Sequence, residues 1–313
     1  MEPIVQLSTQ TGVIWDWRVA TDLFLGGVGV GAFLFSFMLS GFADKKYLPL
    51  ARTGAAIAPA AVVIGLALLF WKLGFRENAM QIGFNIASTS IMWWGAYLQG
   101  LFVVLATILA FRGLSSGTAP LGWVTALLAI AVGIYHGLLF SVVASHPVWA
   151  SSSMVIGSAL LFVMTGIAAT LVVHVLRSRA TAEGDFESYI SGLKPIGYVL
   201  LGTILLMLVN LLAWWADLRF GSSQSQEALA QALSQYGALI GVVGIGLGLI
   251  VPLILGVWVI RGTGAIDPEG SRKRASTAAI ACVLLLIGGF AIRYSVILGG
   301  QVEPSIATMA ILS

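Results

Sequence analysis

Eight uninterrupted apolar stretches constrain this chain more than any other feature, each long enough to cross a bilayer core, which takes about 20 residues as a helix. They run near residues 20–41, 52–74, 90–111, 121–145, 153–176, 195–216, 237–260 and 275–298. Charges, prolines or polar clusters bound them, among them Asp44-Lys45-Lys46, Arg76-Glu77-Asn78, His146-Pro147 and the segment from Arg261 to Arg274. The apolar residues follow one another without the alternation of a barrel strand. A helix satisfies its backbone groups within the segment, so the stretches read as transmembrane helices. Of 313 residues, 58% are hydrophobic and 9% charged, where soluble domains carry about a quarter charged residues. The expectation is an all-α integral membrane protein, a single polytopic domain over residues 1–313, with eight transmembrane helices in two four-helix bundles. This excludes nucleic-acid binding, disorder and most soluble enzyme classes, and makes membrane lipid the surrounding solvent. The single cysteine, Cys282, lies inside an apolar run and leaves no structural disulfide, thiolate zinc site or iron–sulfur cluster of the protein's own.

Basic residues orient the spans. Of the 16 Lys and Arg, eleven fall on the side of the odd-numbered turns, from Lys45 to Arg274. Five (Arg18, Lys72, Arg76, Arg219 and Arg293) fall on the side of the termini. The positive-inside rule places the eleven in the cytoplasm. Both termini then face outward, into the periplasm of a bacterial inner membrane. Residues 1–21 lack the basic start and apolar core of a signal peptide, so the first span is expected to direct insertion. Tryptophan is distributed the other way: Trp15, Trp17, Trp71, Trp93, Trp94, Trp149, Trp214 and Trp215 lie near the outer boundary, Trp123 and Trp258 near the inner one. An interfacial aromatic belt accounts for such residues, but a belt has two sides. The excess also suits an outer face that docks a partner or frames a ligand mouth. The outer loop from Asp217 to Tyr236 contains Ser225 to Leu233, read as a short surface helix with a Ser cap. Pro59 and Pro252 are expected to kink their spans.

Ionisable groups inside spans are costly and are functional candidates. Here they are Asp22, His136, His174 and Arg293, with neutral Asn85, Gln99, Tyr135 and Asn210 beside them. Asp22 precedes Gly26-Gly27-Val28-Gly29-Val30-Gly31, whose Gly27 and Gly31 make a small-xxx-small pair. Such glycines admit a second helix, or a flat ligand, close to the backbone. Asp22 reads either as a site carboxylate or as a side chain reaching interfacial water. Tyr135-His136-Gly137 lies in span 4, about ten residues or roughly 15 Å from an outer end near Ser145, with Asp22 about 10 Å shallower. Tyr135 is a pocket residue or a core aromatic. No two histidines match in depth and direction as a bis-His haem requires, so neither haem nor metal is expected. His174, at the inner end of span 5, is a polar helix-end residue or part of a proton path.

Four segments in order resemble the NrfD/polysulfide reductase membrane-subunit family. Trp15-Asp16-Trp17-Arg18-Val19-Ala20-Thr21-Asp22-Leu23-Phe24-Leu25-Gly26-Gly27 looks like its opening signature. Gly133-Ile134-Tyr135-His136-Gly137-Leu138-Leu139 with His146-Pro147-Val148-Trp149 looks like its span-4 motif. Gly246-Leu247-Gly248-Leu249-Ile250-Val251-Pro252 is similar to the seventh-span pattern, and Arg293-Tyr294 with Gly299-Gly300-Gln301 to the closing one. The resemblance covers residues 15 to 301. It implies an eight-helix anchor that binds menaquinone or ubiquinone near the outer face, without haem or cluster of its own. Electrons pass to or from a four-cluster ferredoxin-like iron–sulfur subunit, accompanied by a molybdopterin or cytochrome c catalytic subunit. It further implies Tyr135 as a quinone contact and Asp22 as a headgroup ligand, with Val19, Gly26, Gly27 and Gly31 lining the pocket or admitting a close helix. The sequence departs from the family pattern at His136, where a small hydroxyl residue commonly follows the tyrosine. Its imidazole joins the quinone-binding candidates.

Quinol oxidation releases two electrons and two protons. A carboxylate such as Asp22 can accept a proton, Tyr135 can orient a quinone oxygen, and neutral His136 can do either. Two other functions compete. A transporter would place polar groups and broken helices at mid-membrane, where Pro59 and Pro252 give it slight support. A proton-translocating subunit of a larger redox complex would need a series of carboxylates or histidines across the membrane, in which His174 stands isolated.

Overall fold

The computed structural model describes residues 15–72, 91–114, 119–143, 146–180, 186–262 and 268–301. Asn85 and the Arg76-Glu77-Asn78 boundary lie outside the described residues. Eight helices are long and apolar enough to cross a membrane, and among the described residues there is no strand. In sequence order they are α1 (Trp17–Phe42), α2 (Leu48–Lys72), α3 (Ile91–Arg112), α4 (Ala119–Ser141), α5 (Ser152–Ala180) and α6 (Phe186–Arg219). The seventh is a continuous rod made of α7 (Ser223–Ala238), a π-helical stretch (Leu239–Ile250) and α8 (Val251–Arg261). The eighth is α9 (Pro268–Gly299). Successive helices α1 to α4 adjoin as one four-membered ring, and α5, α6, the rod and α9 as a second. Helix α5 joins them, packing on α1, α2, α4, α6 and α9.

Glycine sets the closeness of the joint. Apolar side chains gain little by leaving apolar lipid, so helices associate in membranes through close packing of small residues. A Cβ on Gly31 of α1 would run into the Phe162 carbonyl and one on Gly166 of α5 into the Gly31 backbone. The second ring repeats the device, with Gly248 of the π-helical stretch against Gly288 of α9. The wide helix also accommodates Pro252. Proline offers no N–H and clashes with the carbonyl four residues back, and here the Val251 N–H already bonds to the Gly246 carbonyl, five residues earlier. The change of winding therefore occurs where proline disrupts the α ladder.

The expected surface helix at Ser225–Leu233 is present and runs on into the seventh span. Those residues are helical and Ser222 caps them, accepting from the Ser225 N–H, but they form the first turns of the 39-residue rod Ser223–Arg261. At 1.5 Å per residue an α-helix of that length would approach about 60 Å, roughly twice a hydrocarbon core, so the polar start of the rod stands beyond the membrane boundary. Buried Ala228, Leu229 and Ala232 hold it against the bundle. Trp15 and Gln301 are tied together at the same level. The Trp15 N–H donates to Gln301 Oε1 at 2.7 Å, and Gln301 Nε2 donates to the Trp15 carbonyl at 2.7 Å. This is the terminal end of the bundle.

Asp16 caps α1, its Oδ1 accepting the Arg18 N–H at 3.0 Å and its Oδ2 the Arg18 guanidinium at 2.7 Å. Burial pushes its carboxyl up, but the hydrogen bonds from Arg18 and the charges of Lys72 and Arg18 outweigh it and hold the group below its ordinary value of 3.8. A carboxylate depressed in the folded state contributes stability that is complete above the unfolded value and disappears as pH falls through the folded one. The melting temperature of the detergent-solubilised protein is therefore expected to fall between about pH 5 and pH 3, with a smaller fall in Asp16→Asn, whose amide still caps. Identical acid limbs in the two proteins would refute the assignment.

Candidate functional site

Ionisable side chains from three helices gather in the terminal half. Asp22 lies five residues inside the start of α1, His136 five inside the end of α4, and Arg293 six inside the end of α9. Each is therefore about 8–9 Å below its helix end. Helix α4 ends at Ser141, four residues before the expected boundary, so Tyr135 and His136 lie nearer the end of their helix than expected. His136 packs against Gly26, about one helical turn below Asp22 on α1.

The surroundings are built by small residues that make room and aromatic residues that fill it. Asp22 is buried over Gly65 of α2, where a Cβ would stand 2.8 Å from its Oδ1. His136 is fully buried against Gly26, where a Cβ would stand 2.6 Å from the imidazole Cε1, and its ring meets Phe162 edge-on at 5.5 Å. Tyr135 packs its phenol over Gly95 of α3 and lies 5.4 Å from the His136 ring. The Arg293 guanidinium sits between the Phe140 and Phe162 rings, 5.1 and 5.6 Å from their centroids. Its Nη1 donates to Ser158 Oγ of α5 at 2.8 Å.

The hydrogen bonding of this cluster is unfinished. Asp22 Oδ1, both ring nitrogens of His136, and Nε and Nη2 of Arg293 are buried with no protein partner. Leaving a buried polar atom unpaired costs about 1–3 kcal/mol, and native proteins keep few such atoms. Five on three adjoining side chains mark a place where something other than the protein completes the bonding. Asp22 and Arg293, of opposite charge, lie in the same buried region without direct contact. The set offers donors from Arg293, Tyr135 and one His136 nitrogen, and acceptors from Asp22 and the other nitrogen.

A tryptophan layer closes the terminal side. Trp149 donates from Nε1 to the Val296 carbonyl at 2.8 Å and stacks on Trp15 at 5.1 Å, while Trp214 donates to the Val148 carbonyl at 3.0 Å. Trp149 and Trp214 are therefore buried caps rather than belt residues, whereas Trp17, Trp71, Trp94 and Trp215 are exposed as a belt requires.

Of the residues singled out in the sequence, Asp22, Tyr135, His136 and Gly26 come together here. Gly27 accommodates the Phe162 ring and Gly31 the α5 backbone, so protein fills the space that a flat ligand would need at those two glycines. Val19 is a core residue beside the tryptophan layer. His174 lies toward the opposite end, its Nδ1 3.1 Å from Thr53 Oγ1, away from the cluster. Arg293 stands out in the sequence as an intramembrane charge, but nothing there assigns it to the site. Ser158, Phe162, Gly65 and Gly95 carry no sequence signal distinguishing them from packing residues.

Fold and site define a class: a polytopic helical membrane protein with a buried, incompletely bonded polar cluster toward one membrane face. The family model described as "Polysulphide reductase, NrfD" matches residues 6–305, and the protein belongs to that family. It is 26% identical to Protein NrfD of Escherichia coli and 25% identical to the C subunit of the polysulfide reductase of Wolinella succinogenes. A third relative, the NrfD homolog of Haemophilus influenzae, is 24% identical. Each alignment covers 92% of this protein and 95% of the relative. It is thus a membrane subunit of the kind found in multi-subunit redox complexes.

Asp22 and Arg293 are opposite buried charges not in direct contact, so removing either leaves the other without its nearby counter-charge. Arg293→Met and Asp22→Leu should each lower the melting temperature, and the double variant should lose less than the sum, with a coupling of about 0.5–3 kcal/mol. Additive losses in a double-mutant cycle would mean that the two side chains do not act as a pair.

Proposed function

We propose that this protein is the quinone-reactive anchor of a respiratory oxidoreductase, exchanging electrons between the membrane quinone pool and a peripheral iron–sulfur subunit. The observation that carries the reading is the buried group of unpaired donors and acceptors on Asp22, His136 and Arg293, with Tyr135 beside it. The headgroup of menaquinone or ubiquinone supplies the two-electron, two-proton chemistry. Arg293 and Tyr135 donate hydrogen bonds to a quinone oxygen, and Asp22 accepts the proton of a quinol hydroxyl. His136 holds the second oxygen through whichever nitrogen the oxidation state requires. Phe140 and Phe162, with the tryptophan layer, keep bulk water from the reacting oxygens.

Orientation follows from the basic residues: the terminal end faces outward, in the bacterial inner membrane, with both termini periplasmic. The partner then docks on that face, where the polar start of the rod projects. It is a four-cluster ferredoxin-like protein, with a molybdopterin or cytochrome c subunit beyond it. Among the described residues, the buried ionisable side chains of Asp22, His136 and Arg293 gather toward one end rather than at the midplane. That favours electron exchange over a transporter or a transmembrane proton relay.

Two measurements test the reading. Purification in mild detergent should bring down a cysteine-rich cluster protein that cross-links to the terminal end; a cross-link confined to the basic end contradicts the docking. In the purified complex, Tyr135→Phe and Asp22→Asn should lower quinol turnover by about a hundredfold or more, the usual scale for a positioned proton acceptor. Wild-type turnover in both variants removes them from the site.

A further inference from the structure

A cleft opens toward the basic end of the second ring, away from the polar cluster. It lies between α6, α8 and α9 and is floored by Leu171 of α5. Lys194 and Ile204, ten residues apart on α6, both line it, so it runs about 15 Å along the helix axes. That is the depth of one leaflet, half of a hydrocarbon core of about 30 Å. On α9 the lining residues Ala278, Ala281, Cys282 and Leu285 form one stripe, and Arg274 stands one turn before it on the same stripe. On one flank Gly197 and Gly256 draw α6 and α8 together. A Cβ on Gly197 would stand 2.8 Å from Ile260 Cδ1, and one on Gly256 would stand 2.8 Å from Leu201 Cδ2. The cavity volume is about 50 Å³, enough for several waters at about 10–15 Å³ each. Buried water also needs two to four polar partners. Apart from the Cys282 thiol and Lys194 at the mouth, every lining side chain is apolar. Hydrocarbon suits such a space, and water does not.

The mouth of the cleft is cationic. Lys194 is exposed there. The Arg274 guanidinium lies over Gly262 and 4.7 Å from the centroid of the exposed Trp258 ring. Its Nη1 donates to the Trp258 carbonyl at 3.1 Å and the Val259 carbonyl at 3.5 Å, while its Nε and Nη2 have no acceptor among the described residues. Tryptophan favours the headgroup level of a bilayer. Two cations therefore stand where a lipid phosphate lies, and the apolar cleft stands where its chain lies. We propose that the cleft holds one acyl chain of an anionic phospholipid from the leaflet at the basic end, with the phosphate on Lys194 and Arg274. Basic pockets between transmembrane helices bind anionic headgroups, and a guanidinium with two unoccupied nitrogens meets a phosphate through two parallel hydrogen bonds. The bound chain fills the seam where α6 meets α8 and α9. This site is separate from the polar cluster, and its occupancy does not depend on what the cluster binds.

The test adds phosphatidylglycerol or phosphatidylcholine of identical chains to the full-length protein in mild detergent and measures retained lipid by native mass spectrometry. Phosphatidylglycerol is expected to bind at least about tenfold more tightly than phosphatidylcholine. Lys194→Gln should weaken phosphatidylglycerol about fivefold, the usual scale for one cation at a membrane surface, and Lys194→Arg should stay near wild type. Ala278→Phe, which fills the cleft near its mouth, should lose retention of both lipids. Equal retention of the two lipids by the wild type overturns the proposal, as does wild-type retention in Lys194→Gln or in Ala278→Phe. Should the variants fail to fold, the wild type decides by photolabelling. A phosphatidylglycerol carrying a diazirine at mid-chain should label the stretch from Ala278 to Leu285 above the other spans, and unlabelled phosphatidylglycerol should compete where phosphatidylcholine does not. Labelling spread evenly over the lipid-facing helices overturns the site. Labelling displaced by a short-chain quinone better than by phosphatidylglycerol assigns the cleft to a quinone and overturns it as well.

Discussion

The approach of α1 to α5 through Gly31 and Gly166 is the contact on which the other arrangements depend. Lipid tails are as apolar as the side chains they would replace, so burial provides little force between helices inside the membrane. Dispersion between backbones brought into touch provides it instead, and glycine is the residue that permits the approach. With α1 seated on α5, Phe162 reaches across Gly27 to the ring of His136. Helix α9 then packs along the same central helix, where Ser158 receives the Arg293 guanidinium. Residues as far apart in sequence as Asp22 and Arg293 thus come into one region because their helices all pack on α5.

Inside that frame the charges are held between the cost of burial and the gain from pairing. A lone carboxylate or guanidinium in a low-dielectric interior carries a desolvation cost of several kcal/mol. Asp22 and Arg293 offset part of it by acting on one another, and the aromatic faces of Phe140 and Phe162 add cation–π attraction to the guanidinium. Neither device completes the hydrogen bonding. Five polar atoms remain for a ligand or for water, and the tryptophan layer separates them from the surface. The same incompleteness carries a cost in stability that a hydrogen-bonding ligand or water would relieve.

Much of the fold was legible because the bilayer imposes a length. The span centres follow from apolar runs, while their ends shift where local chemistry intervenes. Helix α4 stops at Ser141 ahead of His146-Pro147, and the rod continues upstream through Ser223 because Gln and Ala continue a helix as readily as they form a separate one. Asp22, Tyr135 and His136 were visible as polar residues in apolar segments. Ser158 was not, since a serine in a membrane helix ordinarily bonds its own backbone. The choice between helix packing and ligand access at Gly27 and Gly31 was also closed to the sequence, because it depends on which side chain of another helix occupies the groove.

By itself, then, the sequence determined eight membrane helices, their boundaries to within a few residues in most cases, and the presence of rare ionisable groups within them, because hydrophobicity and helical rise are local properties. Tertiary structure decided that Asp22, His136 and Arg293 gather in one region of the terminal half and that Gly26 and Gly65 leave space for the side chains of His136 and Asp22. It also decided that Trp149 and Trp214 cap the site instead of facing lipid. Those outcomes depend on crossings between helices distant in the sequence, where a shift of one residue turns a side chain by about 100° and moves it to another neighbour.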